Sequence, residues 1–276
     1  MEIFTPEFWR NYIKERKSEF KTNRVANKNL WDEAAHFYKD FEKESSYSDI
    51  KKLPIKFLQE KNVLHSNMSV ADIACGPGTH ALDLAQHCRE VFALDISEDM
   101  INNLKEKISK NSIQNITVSC KDFFKEDFKN KFDLVFVSMS PILNELETID
   151  KLLDISRRYI FLIFWAGKRE NTIFNNCYKA IFKKDFKWDI LDITAIFNYL
   201  YSLGYSPSIF YKNMKWYSNF DFESVYNHIV WHMKFYKDEL SEDEKEKIKD
   251  ILRNSEKSET NVRIGYLFLD KEEYSE

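Results

Sequence analysis

Val70-Ala71-Asp72-Ile73-Ala74-Cys75-Gly76-Pro77-Gly78-Thr79 is the stretch on which the architecture turns. Val70 to Ala74 reads as a short buried strand, apolar apart from a single acid. Gly76 and Gly78 remove side chains where the chain must turn sharply, which lets a ligand reach the main chain. Thr79 is placed to cap a helix. Ala81, Leu84, Ala85 and Cys88 then recur at three- and four-residue steps, the apolar stripe of a helix laid on a sheet. The segment is strand, glycine turn, helix.

The next unit repeats that grammar. Val91-Phe92-Ala93-Leu94 is a strand, Asp95 stands at its C-terminal end, and Ser97 caps a helix carrying Met100, Ile101, Leu104 and Ile108. A carboxylate at that place accepts the hydroxyl protons of a ribose and repels a 2′-phosphate, so an unphosphorylated ribose is favoured. Two βα units in succession predict a right-handed, doubly wound sheet with its ligand at the C-terminal strand ends.

Val70 to Met100 resembles the class I S-adenosylmethionine-dependent methyltransferases, and Cys75-Gly76-Pro77-Gly78-Thr79-His80-Ala81-Leu82 is similar to their small-molecule branch, of the type 11/25 kind. The first motif of that family is an acid followed by three glycines at alternate positions. Here Asp72 is the acid, Ala74 replaces the first glycine, and Gly76 and Gly78 are the other two. The resemblance implies S-adenosylmethionine as cofactor, S-adenosylhomocysteine as product, and cofactor contacts at Asp72, Ala74, Cys75, Gly76, Gly78, Asp95, Ile96 and Met100. The strand Asn115 to Cys120 followed by Asp122-Phe123 resembles the family's third strand. Its terminal acid takes the adenine amino group and its next residue packs near the base. Asp133 to Ser138 resembles the fourth strand, whose end, at Ser138, lies along the methionine moiety. The likeness covers about residues 65 to 165.

Gly76-Pro77-Gly78-Thr79-His80-Ala81 also satisfies a dinucleotide fingerprint with alanine in its last slot, so a nicotinamide oxidoreductase is the rival. Against it stand the helical extension before the strand, the acid at Asp72, and the repeat of the acid-after-strand theme at Asp122.

A chain of 276 residues with 43% hydrophobic content can build one sizeable core, and a formal charge of −4 gives no global attraction to nucleic acid or an anionic membrane. No apolar run is long enough to span a bilayer, and Met1 to Phe20 is charged throughout, so the sequence predicts a cytoplasmic protein without membrane contact. Cys75, Cys88, Cys120 and Cys177 are not clustered and read as reduced thiols rather than metal ligands.

The whole predicts an α/β, Rossmann-like, doubly wound sheet of seven strands, mostly parallel with the last antiparallel, an N-terminal helical lid and a helical insertion before the last strand. We expect a single methyltransferase domain: residues 1–62 as helical cap, 63–166 as cofactor-binding core, and 167–276 as C-terminal helices and final strand pair. In the cap, Thr5-Pro6 starts a helix with Phe8, Trp9, Tyr12 and Ile13, and a second helix carries Trp31, Ala34, Tyr38 and Phe41 along one face. Tyr159 to Trp165 is the fifth strand. Helices follow around Thr172 to Phe182 and Ile190 to Leu203, then strands at Ser208 to Trp216 and Val262 to Leu269. Ser241-Glu242-Asp243-Glu244 is a capping box leading a charged, solvated helix.

Methyl transfer from a sulfonium is an in-line displacement that needs no metal to make the carbon electrophilic. Catalysis then rests on holding the acceptor lone pair opposite the sulfur, with a base only if the acceptor arrives protonated. His36, Tyr38 and His80 are the candidates for that base or for contact with the reacting end. Trp31, Tyr38, Ser140, Tyr211 and Trp216 are candidates for the acceptor pocket. In the same aromatic run stand Phe210, Tyr217 and Phe220, all of which can equally be core. His228 and His232 stand one helical turn apart, but lack the glutamate of a zinc-protease helix and flank an apolar stripe, so no metal is expected. Ser138-Met139-Ser140-Pro141 lacks the Asn or Asp followed by two prolines and an aromatic that resembling nucleic-acid amino methylases use, which disfavours DNA as acceptor. Lys14, Arg16, Lys17, Lys21, Arg24 and Lys28 form a basic stretch interrupted by Glu15 and Glu19, open to RNA but simplest as a solvated helix face. A small-molecule acceptor is the leading expectation. The alternatives are a cofactor-binding module without turnover, a nicotinamide enzyme or an RNA methyltransferase.

Overall fold

The structure is a computed structural model, described here for residues 5–17, 27–41, 48–128, 131–186, 192–218, 222–255 and 258–273. The elements in chain order are α1 (Pro6–Lys17), α2 (Lys28–Phe41), α3 (Ser48–Glu60), β1 (Ser69–Ile73), α4 (Ala81–Ala85), β2 (Glu90–Asp95), α5 (Glu98–Lys110), β3 (Ile116–Cys120), β4 (Phe132–Ser138), α6 (Leu146–Ile155), β5 (Ser156–Asn171), α7 (Thr172–Phe182), α8 (Ile193–Ser202), β6 (Ser208–Ser218), α9 (Phe222–Met233), α10 (Glu242–Arg253) and β7 (Ser258–Asp270). One seven-stranded sheet runs β3-β2-β1-β4-β5-β7-β6. β1 pairs parallel with β2 and β4, β2 with β3, and β4 with β5, whereas β7 is antiparallel to both β5 and β6. This is the mostly parallel, Rossmann-like sheet with a reversed last strand that the sequence predicts.

The central strands are apolar on both faces because both faces are covered by helices. Ala71, Ile73, Val135, Val137 and Leu162 point into the layer that holds α6 and α8. Val70, Leu134, Phe136, Phe161 and Ile163 point into the layer that holds α3 and α4. The pleat sorts neighbours to opposite sides, so each strand contributes to two cores.

Several boundaries differ from the sequence expectation. The helix after the glycine turn is only Ala81–Ala85, its N-cap is His80 rather than Thr79, and no side chain caps it. β5 runs beyond Trp165 to Asn171, because β7 continues to pair with it past an irregularity between Trp165 and Arg169. Gly167, at φ +81°, sits within that irregularity. The second helix of the C-terminal pair starts at Ile193, capped by Asp192. Lys21, Arg24 and Phe220 lie outside the described residues. Ser97 caps α5 and Ser241 forms the capping box of α10, as the sequence predicts.

The leading helices do not act as one lid. α1 packs on α8, where Arg10 pairs with Asp150 at 2.9 Å and the Tyr199 hydroxyl donates to Asp150 at 2.5 Å. α3 packs beside α4. Among the described residues of the leading helices, those of α2 reach over the C-terminal strand ends, held between α5 and α9. The Trp231 indole N–H on α9 donates to the Leu30 carbonyl at 2.7 Å, and Asn103 Nδ2 on α5 donates to the Ala35 carbonyl at 3.2 Å. The Ser97 hydroxyl donates to Asp32 at 2.7 Å, so the serine that caps α5 also anchors α2. The helical insertion between β6 and β7 therefore supplies, through α9, one of the clamps on the roof of the ligand crevice.

Candidate active site

The crevice opens at the C-terminal ends of β1, β2 and β4, the place where the order of a doubly wound sheet reverses. About 980 Å³ of free space lies there, open mouth included. Its floor is the turn after β1. Ala74 and Gly76 both adopt φ +54°, Cys75 N donates to the Leu94 carbonyl at 3.0 Å, and Lys107 Nζ of α5 holds the Pro77 carbonyl at 3.0 Å. A Cβ built on Gly76 would meet no protein atom within 4 Å. A Cβ on Gly78 would stand 2.2 Å from Leu104 Cδ1, and Gly78 does not line the crevice. The two glycines thus divide the work: Gly76 leaves room for a ligand, and Gly78 lets α5 approach the turn. Gly78, which the resemblance makes a cofactor contact, thus stands behind the crevice wall rather than in it.

Asp95 ends β2 at 7% exposure and faces the crevice. One oxygen accepts from Gly76 N at 2.8 Å and the other from Ser97 N at 2.9 Å. A carboxylate offers about four lone-pair sites, so the group keeps acceptor capacity for a hydroxyl donor. Burial raises its pKa, while the N–H groups of Ser97, Gly76 and Ile96 pull it back. Asp72, on β1, is 2% exposed and its Oδ2 has no hydrogen-bond partner among the described residues. Burial, with Asp95 nearby, pushes its pKa up to about 8 against the opposing Ala81 N–H. An unsatisfied buried carboxyl oxygen in a cavity wall fits a ligand that brings a hydrogen-bond donor or a positive charge. A nucleoside with an amino-acid end meets both demands, its ribose at Asp95 and its ammonium toward Asp72.

Asp122 follows β3 and accepts from Phe124 N at 3.0 Å, while Phe123 packs below it at 4% exposure. Both line the crevice, with Ile96 and Met100 on the neighbouring unit. Ser138 and Ser140 stand at the end of β4, and the latter caps the turn Pro141–Asn144. His80, at 4% exposure, meets Ser138 Oγ through Nε2 at 3.1 Å. Burial, reinforced by Lys51, lowers its pKa to about 3, so its imidazole is neutral. From above, α2 contributes Trp31 and Tyr38. Trp31 is set edge-on against Trp231 at 5.3 Å, and burial pushes the Tyr38 phenol up to about 12.

Three sequence candidates fall elsewhere. His36 is exposed on α2 and does not line the crevice, because the helical twist turns it away from the face that carries Trp31 and Tyr38. Tyr211, 47% exposed, and Trp216, packed on Trp165 at 5.6 Å, belong to β6 at the far edge of the sheet. The antiparallel insertion of β7 beside β5 leaves two strands between β6 and β4, which removes both residues from the crevice. His228 lies tilted against Phe37 at 5.4 Å and is held neutral, its pKa lowered to about 3 by burial and then by Arg169. The crevice also uses Pro77, Thr79, Leu94, Lys121, Phe124, Met139, Pro141 and Ile142, which sequence reasoning passed over. Met139 is a case in point. Its φ of +54° at the end of β4 is a strained conformation of the kind that gathers at binding sites, and no sequence signal marks it.

Residues 70–159 match the family model described as "Methyltransferase domain". An uncharacterized protein of Haemophilus influenzae is 29% identical over 196 residues, 70% of this chain and 70% of its own length. An uncharacterized methyltransferase of Schizosaccharomyces pombe is 32% identical over 83 residues, 27% of this chain and 29% of its own, so this chain spans less than a third of that relative. Among solved structures, the YcgJ protein of Bacillus subtilis aligns with a TM-score of 0.54 at 9% identity, covering 79% of this chain and 97% of that one, a likeness of fold.

Proposed function

We propose that this chain is a class I S-adenosylmethionine-dependent methyltransferase that transfers the methyl group to a small-molecule acceptor bound under α2, a reading supported by the match of residues 70–159 to the methyltransferase-domain model. The observation that carries this reading is Asp95 at the tip of β2, both oxygens oriented by backbone N–H groups, in a crevice roofed by Trp31 and Tyr38. When bound, S-adenosylmethionine supplies a methyl group made electrophilic by its sulfonium charge. The remaining acceptor capacity of Asp95 is turned to the ribose hydroxyls. Asp122 and Phe123 edge the adenine, and Asp72 faces the charged amino-acid end.

The remaining work of the site is placement. Trp31 and Tyr38 exclude water and offer aromatic faces to a cation, which stabilise positive charge without reacting with it. The acceptor then approaches in line from the side of Ser140, Met139 and Ile142, all of which border the crevice. Neither His80 nor Tyr38 offers a proton affinity near neutrality, and Asp72, raised to about 8, is the group turned to the amino-acid end of the cofactor. His80 binds a proton too weakly and Tyr38 holds its proton too strongly to act as a base near neutral pH. Such a site suits an acceptor whose lone pair is free at neutral pH. The formal charge of −4, which offers no general attraction to a phosphate backbone, supports a metabolite over RNA.

The test is methyl transfer from labelled cofactor to a fractionated metabolite extract and, separately, to total RNA, with adenosylhomocysteine release as the readout. Label in a small-molecule fraction supports the reading. Label in RNA replaces it with the nucleic-acid alternative, and binding without release supports a module that has no turnover. Asp95→Ala is expected to lose about 1–3 kcal/mol of adenosylhomocysteine affinity by calorimetry, the cost of unpaired ribose hydroxyls. Unchanged affinity would remove Asp95 from the site.

A further inference from the structure

His80 and Ser138 face each other across the point where the sheet order reverses: His80 opens α4 after β1, and Ser138 is the last residue of β4. Their side chains are joined, Nε2 to Oγ at 3.1 Å, and both line the crevice. The imidazole lies 4.9 Å from the Phe136 ring, and its Nδ1 is buried with no hydrogen-bond partner among the described residues.

Those contacts choose between the two neutral tautomers. With the proton on Nδ1, the fold would bury an N–H donor that reaches nothing, an arrangement rarely tolerated. With the proton on Nε2, the orphan is an acceptor lone pair, and the N–H is spent on Ser138. A charged ring is excluded by its surroundings, which are apolar on the Phe136 side and carry Lys51 as the cation that acts on it. Once Oγ accepts from Nε2, the Ser138 hydroxyl proton must point elsewhere, and no described side chain or carbonyl takes it.

We propose that His80 is a positioning residue whose neutral imidazole donates from Nε2 to Ser138 and thereby turns the Ser138 hydroxyl proton into the crevice, as a donor to a carboxylate or carbonyl oxygen of the bound ligand. The proposal rests on the methyl-transfer reading and deepens it, by giving the reacting end of the site a specific polar contact. His80 is then no general base. The oxygen belongs either to the amino-acid end of the cofactor or to the acceptor, and the two sources separate by experiment.

The first measurement is the ¹⁵N spectrum of the His80 ring in the free protein. A neutral ring protonated on Nε2 is expected between about pH 6 and pH 8. The second compares calorimetric binding of adenosylhomocysteine with that of 5′-methylthioadenosine, which lacks the amino-acid end, in the wild type and in Ser138→Ala, His80→Phe and His80→Gln. If the oxygen is the cofactor's, Ser138→Ala and His80→Phe weaken adenosylhomocysteine about tenfold, as the loss of one hydrogen bond to a charged group should, and leave methylthioadenosine unchanged. If it is the acceptor's, both ligands bind as before and KM for the acceptor rises by a similar factor. In either case His80→Gln, which keeps an N–H donor, recovers most of the loss.

A ring protonated on Nδ1 or charged would overturn the proposal. So would equal losses for both nucleosides, no change in any binding constant or KM, or failure of glutamine to rescue. A wild type indifferent to adenosylhomocysteine would sink the cofactor reading instead, and the tautomer alone would then decide the role of His80.

Discussion

At the residue scale, the glycine turn shows how one motif serves two purposes. Gly76→Ala meets no protein atom and carries only the strain of a left-handed φ, about 1 kcal/mol, but places a methyl group in the wall of the crevice. Gly78→Ala adds to that strain a collision with the fully buried Leu104, for a total of about 2–4 kcal/mol. Denaturant unfolding should therefore report mainly Gly78→Ala, and adenosylhomocysteine calorimetry mainly Gly76→Ala. Equal effects on both measurements would contradict the division. Asp72 makes a second residue-scale prediction. Its native pKa, about 8, lies above the ordinary 3.8, so the folded protein retains a proton that the unfolded chain has lost. Stability attributable to Asp72 is thus full below about pH 4 and declines as pH rises toward about 8. Asp72→Asn, which keeps the shape and carries no charge, should flatten the fall in unfolding midpoint between pH 5 and pH 8. A slope identical to the wild type would show that Asp72 ionises freely.

At the scale of elements, the roof is a single helix whose placement depends on partners far away in sequence. α2 is amphipathic, and its start is marked by Asn27, whose Oδ1 accepts from Leu30 N at 3.3 Å. What fixes its pose is Trp231, 201 residues downstream from Leu30, together with Ser97 and Asn103 of α5. Trp231→Phe keeps most of the ring packing and loses the indole donor, at about 1 kcal/mol. Hydrogen exchange over residues 28–41 should then quicken several-fold, and adenosylhomocysteine affinity should fall, while exchange in β1 and β4 is unaffected. Unaltered exchange in α2 would show that Trp231 is not its clamp.

For the molecule as a whole, the two helical layers have separate duties. The layer with α1 and α8 is tied by Arg10, Asp150 and Tyr199, none of which lines the crevice. Tyr199→Phe removes a buried hydroxyl from that network, and a loss of about 1 kcal/mol in unfolding free energy is expected with no change in adenosylhomocysteine affinity. A drop in affinity would mean that the two layers are coupled through the sheet. The sheet itself is continued past β5 by an antiparallel pair, which places the long edge strand β6 and its aromatics away from the ligand.

The sequence by itself determined the parallel core and the cofactor half of the crevice. Asp72, the Gly76 turn, Asp95, Asp122 and Ser138 each stand at a fixed offset from an apolar strand, and a strand's end is where its pleat and its buried run stop together. These are local relations, readable within about ten residues. Tertiary structure alone decided the acceptor half. Trp31 and Tyr38 line the crevice while His36 does not, because α2 docks against α9 and α5. Tyr211 and Trp216 are withdrawn, because β7 inserts between β5 and β6. Gly76 and Gly78 look alike in sequence, and only the approach of Leu104 tells them apart. In each case the deciding contact joins residues distant along the chain, and no periodicity or spacing encodes which of several apolar faces will meet.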